Sequence, residues 1–82
     1  MRYFFHVHED GVCVADEEGQ ECGCLDDARA AALAGARSII AAEVMAGKLP
    51  LDGKIEVGDA SGRRVLELPF ADAVVIEFGA RA

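Results

Sequence analysis

Eighty-two residues allow one domain, 1–82, with a single core, and a 52% hydrophobic content exceeds what an acidic disordered tail carries. A net charge of −7, with Arg63–Arg64 the one adjacent basic pair, argues against nucleic acid, because phosphate binding needs clustered lysine and arginine. No run approaches the ~18 apolar residues of a membrane span, no signal-type apolar stretch with a cleavage site opens the chain, and three cysteines fit a reducing compartment, so the expected address is the cytoplasm.

Tyr3 to His8 alternates as a strand, with Tyr3, Phe5 and Val7 on one face and Phe4, His6 and His8 on the other. Glu9-Asp10-Gly11 reads as a three-residue connection with glycine at its end, and Val12 to Ala15 returns as a short strand. In that register Phe4, Val12 and Val14 share a face with His6. Asp16-Glu17-Glu18-Gly19 is a turn, and Gln20 to Cys24 is irregular.

A helix is predicted from about Leu25 to Ala46. Asp26 and Asp27 complement its positive end, and Gly47 and Pro50 stop it. Leu25, Ala28, Ala32, Leu33, Ala36, Ile39, Ile40 and Val44 form its apolar stripe, with Arg29 and Glu43 near the ends. Asp27, Ala31, Ala34, Ser38, Ala41 and Met45 line the opposite side, where alanine serves as a good helix former or permits close approach of another helix.

Strands follow at Lys54 to Val57 and Arg63 to Leu68, joined by the Gly58–Gly62 turn, with Pro69 marking an end or an edge. Ala73 to Phe78 is an apolar run that forms either a fifth short strand or a packed tail. The fold class is α+β: β-β-α-β-β, a four-stranded antiparallel sheet with one helix on one face.

The charge is uneven. Between Tyr3 and Ala28 stand eight carboxylates (Glu9, Asp10, Asp16, Glu17, Glu18, Glu21, Asp26, Asp27) and no lysine or arginine, while the rest holds 8 basic groups against 7 acids. Such a block suits cations, a basic protein surface or water. Asp16, Glu17, Glu18 and Glu21 are the candidate partner-binding residues. Consecutive acids followed by Gly19 do not reproduce the alternating ligand spacing of a calcium loop.

No metal or other cofactor is expected. The candidate ligands, were a metal bound, are Cys13, Cys22, Cys24 and His8, with His6 nearby. Cys-x-Cys is weaker than a paired Cys-x-x-Cys. Cys13 meets His8 only if the hairpin loop shortens to Asp10-Gly11. A thiol-redox role for Cys22 and Cys24 gains from the helix N-terminus and loses to Glu21, Asp26 and Asp27. Two serines without evident histidine neighbours, no threonine and no asparagine give no catalytic constellation, so the chain is expected not to be an enzyme. His6 and His8 read as ordinary half-exposed sheet residues.

Arg2-Tyr3-Phe4-Phe5-His6, the Asp16-Glu17-Glu18-Gly19 turn, the Ala28-Arg29 and Ala36-Arg37 pairs and Leu68-Pro69-Phe70 together resemble a family of short bacterial domains of unknown function, over about residues 2 to 77. The chain departs from that pattern at Cys22 and Cys24. At fold level alone, the hairpin, acidic turn and Ala-Arg helix are similar to the partial RNase-H-like fold of toxin-neutralising antitoxins. The resemblance carries no activity. The expectation is a non-catalytic interaction module that forms a homodimer, because one helix covers one sheet face, and that offers its acidic hairpin to a basic partner. Metal-binding or thiol-redox chemistry at Cys13, Cys22, Cys24 and His8 is the alternative.

Overall fold

A computed structural model describes residues 1–79. Arg2–Glu9 forms β1 and Val12–Val14 forms β2. The turn between them is Asp10-Gly11 alone, both at positive φ, 54° and 73°, as a type I′ hairpin requires. The expected three-residue loop is thus corrected. Aspartate tolerates the left-handed region and takes the first turn position, so glycine falls second rather than third. His8 therefore lies opposite Cys13, Glu9 opposite Val12 and Val7 opposite Val14. One residue of register turns Val12 and Val14 to the face of Phe5 and Val7, away from His6.

Gln20–Glu21, expected to be irregular, forms a two-residue strand, β3, paired with Arg2 and Tyr3 at the start of β1. The sheet thus has one short strand beyond the four expected. Helix α1, Leu25–Met45, begins after Cys24 and ends before Gly47, whose φ is 87°. It buries Ala28, Ala32, Ala36 and Ile40, so small side chains let its backbone lie close to the sheet. Leu25 and Val44, read as the ends of the stripe, are exposed instead. On the other side Ala34, Ser38, Ala41 and Met45 face solvent.

Lys54–Gly58 (β4) and Arg64–Pro69 (β5) complete an antiparallel sheet of order β2-β1-β4-β5. Val57, Leu68 and Phe70 are the largest fully buried side chains, each stabilising the fold by about 2 kcal/mol through area removed from water. Phe70 opens a 3₁₀ turn, Phe70–Asp72, and packs against Gly53, where an added Cβ would come within 2.6 Å of the ring. The Phe70 N–H donates to the Gly53 carbonyl (2.8 Å), and Arg37 Nε donates to the Ala73 carbonyl (2.7 Å), which fastens this turn to the helix.

Beyond Ala73 the expected strand or packed tail is not realised. Among the described residues there, only Val74 rests on the core, and Val75, Ile76 and Phe78 are exposed. The helix packs chiefly over β4, β5 and the 3₁₀ turn. β2 lies at the far edge of the sheet.

Candidate functional site: the open sheet face and its edge

The face turned away from the helix was expected to be apolar, and it is not. Strand alternation places His6, His8, Lys54, Glu56, Arg64 and Glu67 there. Glu56 and Glu67 stand directly opposite each other, an unfavourable like-charge pair that flanking cations offset. Arg64 Nη1 bridges Glu56 (2.8 Å) and Glu67 (3.3 Å), Lys54 Nζ reaches Glu67 (3.1 Å), and His8 Nε2 contacts Glu56. Arg64 is the main reason the Glu56 carboxyl is held below its ordinary range; burial opposes the shift, and His8 adds to it. Exposed pairs of this kind contribute at most about 1 kcal/mol each. The face is a solvated charge ladder.

The shorter register brings Cys13 Sγ to 3.7 Å from His8 Nε2. The same nitrogen also meets Glu56. A thiol–imidazole–carboxylate relay uses the two ring nitrogens separately, one for the nucleophile and one for the acid. Here thiol and carboxylate crowd a single atom. Cys22 is buried and Cys24 is exposed just before the helix; all three thiols are free. Cys22 follows β3, at the Arg2 end of β1, whereas Cys13 adjoins His8, about 20 Å further along the strand. The four candidate ligands do not converge, and no cluster of three metal-ligating groups occurs among the described residues.

The acidic turn is tied into the fold by Asp16. Its Oδ2 accepts the Phe5 N–H (3.1 Å), and its Oδ1 accepts the N–H groups of Glu18 (3.2 Å) and Gly19 (3.1 Å). These bonds, led by that from Phe5, hold the Asp16 carboxyl below its ordinary range against a smaller opposing effect of burial. The Asp16 N–H in turn donates to His6 Nδ1 (3.0 Å). Gly19, at φ 73°, lies so close to β1 that an added Cβ would meet Phe4, Arg2 and the Tyr3 carbonyl, each at 2.9 Å. The turn thereby covers Phe4, the one aromatic on the open face.

Of the other candidate partner-binding acids, Glu21 pairs with the N-terminal ammonium (3.0 Å) and with Arg2 (3.5 Å). Glu17 and Glu18 are exposed, and their carboxylates form no ion pair among the described residues.

On the helix side, Glu9 at the end of β1 is half-buried, and its Oε2 is closed off from solvent without a hydrogen-bond partner. Burial, then the adjacent Glu43 and Asp10 carboxylates, push its carboxyl up, while Lys48 pulls the other way. Lys48 Nζ binds Asp10 (3.0 Å), drawing the loop after the helix against the hairpin. Next to this contact Val12 and Val14 are 60% and 63% exposed.

Sequence reading missed the charge ladder, although the alternation Lys54-Ile55-Glu56-Val57 signals one polar and one apolar face. It also missed the Arg37 contact, for which periodicity gives no signal. A family model described as "Domain of unknown function (DUF6894)" matches residues 2–71, and the chain belongs to that family. The comparisons with curated proteins and with solved structures found no match.

Proposed function

We propose that this member of the DUF6894 family is a non-catalytic protein-interaction module that self-associates. The observation supporting this is the uncovered edge. Val12 and Val14 are uncharged, β-branched and more than half exposed on the outer strand of the sheet. Covering each contributes about 1 kcal/mol, and only another chain or a moving segment of this one can do so. Leu49, exposed in the loop held by Lys48, adds to the same end of the molecule. The working address is the cytoplasm. Glu17 and Glu18 are the acids offered to a basic partner, since Asp16 and Glu21 are engaged internally.

Sedimentation velocity from micromolar to millimolar protein tests the reading. A concentration-dependent dimer is the expected result, and one 8.6 kDa species throughout overturns it. The alternative, metal-binding or thiol-redox chemistry, draws on the Cys13–His8 contact. Stoichiometric metal with protected thiols in protein purified without added zinc favours it; three freely alkylated cysteines remove it.

A further inference from the structure

We propose that two copies of this chain associate edge to edge, β2 pairing antiparallel with β2 of the second copy about a two-fold axis at Cys13. The inference rests on the self-association reading and adds the surface, the register and the role of each residue.

The two-residue turn fixes which backbone groups are free. In a type I′ hairpin the residues flanking the turn, here Glu9 and Val12, form a hydrogen-bonded pair, and alternation makes Val7–Val14 the next one. His8–Cys13, between them, is a non-hydrogen-bonded pair. The Cys13 N–H and carbonyl therefore point away from β1, toward the open edge. Antiparallel pairing about Cys13 joins each copy's outward N–H to the other's carbonyl and sets Val12 of one copy opposite Val14 of the other. Because the strand reads Val-Cys-Val, each valine then faces a valine across the two-fold axis.

Charge selects the orientation. The turn end of β2 carries Lys48, docked on Asp10, and the far end runs into Asp16-Glu17-Glu18. Antiparallel pairing brings Lys48 of one copy toward Glu17 and Glu18 of the other, with Glu9, Asp10 and Glu43 beside that lysine leaving the turn end net acidic, whereas parallel pairing sets Asp16-Glu17-Glu18 on themselves with no cation between. The sheet's other edge, β5, is guarded by Arg64, Glu67 and a terminal Pro69; β2 has neither charge nor proline within it. A three-residue edge falls well short of the roughly 800 Å² per partner of a standard interface. The dimer is accordingly weak and forms toward millimolar concentration.

Two variants test the pairing by sedimentation and cross-linking. Cys13→Pro removes the outward N–H, together with the thiol that meets His8, and leaves the β1–β2 ladder its bonds; the dimer dissociation constant is expected to rise at least tenfold. Cys24→Ser leaves Cys13 as the exposed thiol beside buried Cys22. A short bis-maleimide is expected to link Cys13 to Cys13 in this protein at concentrations where it dimerises, a result that also decides the matter should Cys13→Pro not fold. A dimer as tight in Cys13→Pro as in wild type, or a dimeric sample with no such link, overturns the edge pairing and leaves self-association standing. A monomeric wild type overturns both.

Discussion

Between the end of β2 at Val14 and the start of β3 at Gln20, the middle of β1 has no strand beside it on that edge, and the Phe5 N–H would be left without a ladder partner. The Asp16 carboxylate takes that place while also closing its own turn on Glu18 and Gly19. Asp16→Ala strands the Phe5 donor and is expected to cost about 2 kcal/mol in urea unfolding. The pH dependence follows from the direction of the shift. The folded carboxyl lies below its ordinary 3.8, so its contribution is fully present above that value and is lost as pH falls through the lower, folded one. The difference between wild type and Asp16→Ala should be constant near neutrality and shrink below about pH 4. A difference that persists undiminished into strong acid would contradict a carboxylate role. The turn itself was legible in the sequence from its acids and glycine. Which acid is consumed by backbone was not, since the Phe5 N–H becomes free only because the edge strand breaks, a tertiary fact.

At the level of elements, the helix, the hairpins and the β4–β5 pair fall where periodicity and turn residues put them, to within a residue or two. The hairpin register does not, because Glu9-Asp10-Gly11 supports either loop and the choice depends on aspartate accepting positive φ. That choice carries Val12 and Val14 to the helix side and Cys13 to His8. It also aims Glu9 at Glu43, so two carboxylates meet where the hairpin touches the end of the helix. The Glu9 carboxyl is raised above its ordinary 4.5, which means that the folded state binds a proton more readily than the unfolded one. Stability from this contact is greatest in acid and declines as pH rises through the window above 4.5. Glu9→Gln removes the repulsion and supplies a donor to Glu43. Its midpoint in urea should exceed wild type at pH 7, with the gain smaller at pH 4. Equal midpoints at both pH values would show that Glu9 and Glu43 do not interact in solution.

At the level of the whole molecule, the sequence argument that one helix leaves the opposite sheet face apolar and in need of cover is overturned, because that face carries His6, His8, Lys54, Glu56, Arg64 and Glu67. The open face is closed by its own charge ladder and by the acidic turn over Phe4. Uncovered apolar side chains lie instead on β2, at Leu25, Val44 and Met45 of the helix, at Leu49, and along Val75 to Phe78. Copies of a chain with net charge −7 repel at long range. Raising salt from about 0.05 to 0.5 M, which shortens the Debye length from roughly 14 to 4 Å, should therefore strengthen self-association while weakening any complex with a basic partner. Self-association that weakens with added salt would point to contacts dominated by opposite charges rather than by the valines.

The most direct measurement is a dilution series of amide NMR spectra on uniformly labelled protein. Concentration-dependent shifts are expected to centre on Val12, Cys13 and Val14 and to fade across β1. Shifts confined to Val75–Phe78, or to the His8–Glu56 side of the sheet, would contradict an edge-strand contact.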